Sequence, residues 1–276
     1  MAAMYYYLVS GLPDIIPSEE TRTIDWQNVF SEIREQLSNE HAILQQYLLL
    51  QSDNTNLINA ICRIRSEKTG EDFSTPSYLS AEEINNWLKN NDRFPAYMIR
   101  FIEENSEVFA ALPRRELARR LAACFLEETS LCGNEFITEY FIFKTSLKNI
   151  AAAYNCRQYG FDPGTALAGD LSINEILKKS TAPDFGLSQE FPFIPSLQEA
   201  FESRNPRTLE NRLIDIEWHK TDELSLGDYF GISTVLAYTA KLLIVKRLLA
   251  LDPEAGRKRL ETLLSGIKQG CIIPAV

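Results

Sequence analysis

Apolar residues recur at intervals of three and four along most of this chain. Trp26, Val29, Phe30, Ile33 and Leu37 fall on one stripe of a helix, and Leu44, Tyr47 and Leu48 continue the pattern over 42–50. Asp53 then stands where a helix N-cap belongs, and Leu57, Ile58, Ile61 and Ile64 form the next apolar face. Residues 70–78 are polar and contain glycine and proline, which predicts a linker. Ser80 with Glu83 predicts a capping box on a helix that carries Ile84, Trp87 and Leu88 and stops at 90–92. Further helices are predicted over 96–105, from Pro113 through 130, and from an Asn134 cap to 158. Tyr5–Val9, aromatic and β-branched, is the one stretch that reads as a strand or extended arm.

The pattern changes over 160–196, where four glycines and four prolines gather, and this is the predicted internal boundary. Ser172 with Glu175 predicts a short helix inside it, and Ser196 with Glu199 opens the next. Asn205-Pro206 and Asp252-Pro253 each place a capping side chain before a proline, and the last helices are predicted over 207–220, 228–251 and 254–267. The expected fold is mainly α. With 12 glycines in 276 residues, nearly all at breaks, its helices should be long and stiff.

Charge narrows the partners. With 28 basic and 38 acidic residues the net charge is −10, which disfavours nucleic acid, since that needs a basic face. Five cysteines, an odd number without a CxxC pair, imply reduced thiols in a cytoplasmic protein. The opening residues lack the basic region of a signal peptide, and Lys241, Lys246 and Arg247 interrupt the apolar stretch Tyr229–Leu251. Membrane contact is therefore expected only through a partner.

Candidate chemistry is sparse. His41 and His219 lack the spaced partners of a zinc site, and no phosphate-loop, dinucleotide or nucleophile-elbow motif occurs. No cofactor or metal is expected. Acidic pairs such as Glu82-Glu83 and Glu127-Glu128 read as solvated helix faces. Arg114, Arg115, Arg119 and Arg120 make the densest basic spot, either an exposed face balanced by Glu116 or a docking patch for an acidic protein.

One pattern occurs twice. Asn56-Leu57 with Ala60 can be laid on Asn149-Ile150 with Ala153, each after an apolar run and before a basic residue near a glycine, Arg63 and Arg65 in one copy and Arg157 in the other. A third copy over 235–252 lacks the asparagine. This spacing suits three helical lobes, roughly 1–75, 76–165 and 166–276, within a single domain.

The pattern resembles the C subunit of V/A-type ATP synthases (subunit d of eukaryotic V-ATPases), whose lobes carry an acidic-x-x-Asn-Leu-like segment. Asp53–Leu57 matches it best; in the second copy Ser146 replaces the acid. The N-terminal Tyr5–Ile15 looks closer still to a bacterial family of unknown function similar to that subunit. The resemblance implies a funnel-like, non-catalytic connector that joins the central shaft to the membrane rotor ring from its cytoplasmic face and transmits torque. The rival expectations are a helical adaptor outside any ATPase, and an enzyme built from scattered carboxylates and the arginine cluster.

Overall fold

A computed structural model of the chain describes residues 4–15, 26–65 and 73–249. Among them are eleven α-helices and no strand: α1 (Tyr6–Gly11), α2 (Trp26–Gln36), α3 (Asn39–Ile64), α4 (Ala81–Asn85), α5 (Ala96–Asn105), α6 (Arg114–Leu131), α7 (Glu135–Tyr159), α8 (Ser172–Lys179), α9 (Ile194–Glu202), α10 (Pro206–Ser225) and α11 (Ile232–Leu249). The predicted helix over 254–267, the Asp252-Pro253 start and Cys271 lie outside the described residues.

Several starts are local and follow from side-chain chemistry. Ser80 and Glu83 form the reciprocal capping box at α4, Asn134 accepts from Ile137 N–H at α7, and Asn205 accepts from two amides ahead of Pro206 at α10. Gly160 ends α7 at φ 70°, with the Phe161 N–H returning to the Cys156 carbonyl, the left-handed cap that glycine adopts without cost. Two predicted caps differ. At α8 the Ser172 side chain caps nothing and Glu175 pairs instead with Lys178 and Lys179. Helix α9 starts before Ser196, with Pro195 in its first turn and the Ser196 hydroxyl donating back to the Phe193 carbonyl.

The predicted N-terminal strand is also corrected. Residues Tyr6–Gly11 form a short helix that buries Leu8 among α2, α3 and α11. A strand needs a ladder partner, and the described residues hold none. Tyr5 anchors the segment instead, its amide donating to the Phe230 carbonyl at 2.6 Å and its hydroxyl meeting His41 Nδ1 at 2.6 Å.

Three apolar clusters form the interior. The largest joins α3, α4, α5, α6, the first half of α7 and part of α11. The second holds the remainder of α7 with α8, α9 and α10. The third packs α1 and α2 against α3 and α11. Helix α7 thus serves two cores, Phe136–Phe141 in one and Leu147–Tyr154 in the other, which is why its apolar residues go all round rather than along one stripe. Helix α11 is apolar all round for a similar reason, because it packs against both α10 and α3.

Candidate functional site

The residues of the repeated pattern sit on α3 and α7. Helix α3 runs unbroken through 26 residues, so Asp53 is not an N-cap. It is fully buried in the helix interior, and its carboxylate accepts from Tyr78 N–H at 2.9 Å and Leu79 N–H at 3.0 Å, on the segment leading into α4. Burial pushes its carboxyl up to about 7 against the opposing pull of those two amides.

One turn on, Asn56 clasps the same segment. Its amide nitrogen donates to the Ser74 carbonyl at 2.9 Å and its oxygen accepts from Ser74 N–H at 2.7 Å. Asn149 on α7 makes the same pair of bonds to Ala168, at 2.8 and 2.9 Å, on the segment leading into α8. A primary amide is the one side chain that presents a donor and an acceptor side by side, so it can satisfy both backbone groups of a single residue. Leu57 and Ile150, which follow the two asparagines, are fully buried. In the second copy Ser146 is buried where Asp53 stands in the first, and Asn174 of α8 supplies further bonds, to Asn149 and to the carbonyls of Ala168 and Gly169.

The basic residues after each asparagine hold carbonyls. Arg65 donates to the carbonyls of Phe109 and Leu112 between α5 and α6. Arg157 donates to those of Ser180, Ala182 and Pro183 between α8 and α9, its guanidinium 3.8 Å from the centroid of the Phe185 ring. Both therefore lock loops.

The arginines of α6 have different partners. Arg119 and Arg120 both bond Glu116, whose carboxyl they hold down to about 2 through those hydrogen bonds. Arg120 also reaches Asn105, and Arg114 reaches Asn59 at 2.7 Å. Arg115 is exposed and faces a cleft together with Arg114.

That cleft, of about 580 Å³, opens between α3, α6 and α7. Ile58, Leu121, Phe125 and Phe141 line its apolar part, and Asn149 and Ala168 of the second clasp form an edge. Its charges are Arg114, Arg115, Lys144 and Lys148, and no carboxylate lines it. Lys148 is exposed, and its ammonium is lowered to about 8 by the protein packed around it and by repulsion from Lys144.

Beneath the cleft lies a network that sequence reading missed. Lys144 of α7 pairs with Glu217 of α10 at 2.5 Å, Tyr140 donates to the same carboxylate at 2.7 Å, and Arg247 of α11 donates to its other oxygen at 2.9 Å. Burial opposes ionisation of Glu217, but Lys144 and Arg247 outweigh it and hold the carboxyl down to about 2. Arg247 Nε lies 3.0 Å from Glu210, close enough for charge attraction though not aligned for a hydrogen bond. Lys144, Glu217 and Arg247 stand far apart in the sequence, on three helices, and nothing local said that they would meet.

Among the described residues no group of histidine, cysteine and carboxylate side chains is arranged to hold a metal ion, and no helix is long and apolar enough to cross a membrane. His219 Nδ1 meets the Asp215 carbonyl of its own helix, and no disulfide joins Cys62, Cys124, Cys132 or Cys156.

Comparison with known proteins corrects the likeness to the ATP synthase C subunit. The family model that matches residues 1–271 is described as "Protein of unknown function (DUF2764)" and not as a rotary ATPase subunit. Three chlamydial relatives, each named only as an uncharacterized protein, are similar over about half of this chain. The identity is 26% over 152 residues for Chlamydia muridarum, covering 54% of this chain and 57% of that one. It is 24% over 140 residues for Chlamydia pneumoniae (49% and 52%) and 26% over 148 residues for Chlamydia trachomatis (52% and 55%). The chain thus spans about half the length of the curated relatives it matches. The match to one family model across nearly the whole sequence places this chain in the DUF2764 family.

Proposed function

We propose that this protein is a non-catalytic helical connector, a rigid body whose work is to hold other proteins together. The observation that carries the reading is the double asparagine clasp: Asn56 and Asn149 each tie a long helix to the segment that leads into the next short helix. Each clasp belongs to a similar run of a long helix, a short helix, a helix of nine or ten residues and another long helix. The packing supports the same division. Helix α6 packs on α3, α5 and α7, as α10 packs on α7, α9 and α11. On this reading α3, α7 and α11 are counterparts in three lobes, and the contact of α11 with α3 closes the series. Hydrogen bonds and ion pairs that lock loops and join helices resist twisting, which a mechanical connector requires.

The assembly we propose for it is the central stalk of a V/A-type ATPase, between the rotary shaft and the membrane ring, with the chain a member of its own family there. The absence of a membrane-spanning helix among the described residues is compatible with that place. Affinity purification of the tagged full chain from native membranes tests it: shaft and ring subunits should co-purify. Recovery of an unrelated complex would replace this reading with an adaptor outside the ATPase, and turnover of a small molecule by the purified chain would end the connector reading altogether.

A further inference from the structure

We infer that the cleft between α3, α6 and α7 is a seat for a short acidic, amphipathic helix of a partner protein. The shape of the lining points to a helix. On α3 the cleft takes Gln51, Asn54, Thr55 and Ile58, and on α7 it takes Phe141, Lys144, Thr145 and Lys148. Both sets follow the three-and-four spacing of one helix face and run for two turns, about 10 Å at about 1.5 Å per residue. Helix α6 contributes a longer stripe that includes Ala118, Leu121, Ala122 and Phe125. The two alanines keep the trough open where larger side chains would fill it. An apolar trough bounded by helix faces is the geometry into which a partner helix lays its own apolar side.

Charge complementarity selects an acidic occupant. The chain as a whole carries −10 and repels acidic partners, yet this cleft is lined by four cations and no carboxylate. Lys144 is neutralised from below by Glu217, and Arg114 is engaged with Asn59. Arg115 and Lys148 make no ion pair or hydrogen bond among the described residues, and both are exposed. They would meet carboxylates of the incoming helix at the edge of the apolar contact, where a charge-assisted hydrogen bond adds specificity and association rate. This inference deepens the connector reading by naming the chemistry of one partner, and rests on it for the expectation that the partner is a protein.

The experiment uses the purified full chain alone, so its result does not depend on which assembly captures the protein in the cell. The probes are a fluorescein-labelled, side-chain-stapled helical peptide of fourteen or so residues with leucine and alanine on one face and glutamate on the others, and its counterpart with lysine for glutamate. Fluorescence polarisation should show binding of the acidic peptide, weakened by salt, and at least tenfold weaker binding of the lysine peptide. The Arg115→Glu/Lys148→Glu double variant should bind the acidic peptide at least tenfold more weakly, while Lys89→Glu, an exposed charge reversal outside the cleft, should leave binding unchanged. Equal binding of both peptides, full binding by the double variant, or no binding of either peptide would overturn the inference. Protection by inorganic pyrophosphate without peptide binding would overturn it in favour of a small anion.

Discussion

Lys144 and Glu217 meet at 2.5 Å inside the protein and join α7 to α10, and Arg247 brings in α11 through the other carboxylate oxygen. Three helices from distant parts of the chain therefore share one buried negative charge. Replacing Glu217 with Gln leaves Lys144 buried without its counter-charge and Arg247 with Glu210 alone, and breaking a buried pair in this way costs roughly 3–5 kcal/mol. Chemical denaturation should show a loss of that size. The double variant Lys144→Met/Glu217→Leu should lose less than Glu217→Gln alone, because it removes a buried charge of each sign together.

The asparagine clasps should act independently. Asn56→Ala removes two hydrogen bonds and leaves the amide and carbonyl of Ser74 without them; Asn149→Ala removes the two bonds to Ala168 and the one to Asn174, and leaves the Ala168 amide unpaired while Asn174 still reaches its carbonyl. Each variant should lose about 2–4 kcal/mol, from lost bonds of about 1 kcal/mol each and the cost of unpaired polar groups. Amide hydrogen exchange distinguishes them. Asn56→Ala should raise exchange at Ser74 and leave Ala168 protected, with the reverse for Asn149→Ala, and the stability losses should add.

Two buried carboxyls give stability opposite slopes with pH. Asp53, raised to about 7, binds a proton in the folded state that it has released in the unfolded state at intermediate pH. Its contribution is therefore greatest below about 4 and falls as pH rises to about 7. Glu217, lowered to about 2, behaves in the opposite sense: its contribution is present above about 4.5 and is lost as pH falls toward 2. Unfolding free energies of the parent chain measured against Asp53→Asn should converge or reverse in the parent's disfavour between pH 4 and 7. Measured against Glu217→Gln, the parent's advantage should shrink only below pH 4.5. A flat difference in either series would contradict the corresponding assignment.

Glycines 160 and 169 have nearly equal backbone angles, φ 70° and 71°, but different surroundings. A Cβ at 160 meets nothing within 4 Å, whereas one at 169 would stand 2.6 Å from Leu126 Cδ2 on α6. Gly160→Ala should cost about 1 kcal/mol from backbone strain alone. Gly169→Ala should cost more, by thermal or chemical denaturation. Because Asn174 bonds the Gly169 carbonyl, the larger change should also raise amide exchange at neighbouring Ala168.

The helical class of this protein, the bounds of α5 and the starts of α4, α7 and α10 were legible in the sequence because each depends on neighbours a few residues away. Periodicity needs only one helix's worth of chain, and a capping serine or asparagine reaches amides within its own first turn. The same local logic misread Asp53 as a cap and Tyr5–Val9 as a strand. Asp53 bonds Tyr78 and Leu79, and Leu8 buries itself against helices as distant as α11; neither partner is visible in a short window. The repeated asparagine could be noticed along the chain, but that both copies grip a downstream backbone residue with the same two bonds became evident only when the loops were folded against α3 and α7. Tyr140 reads as core, and nothing local ties Lys144, Glu217 and Arg247 to one another. Packing brought them together out of water, where a charge must find its counter-charge, and long-range burial of that kind is what local pattern does not encode.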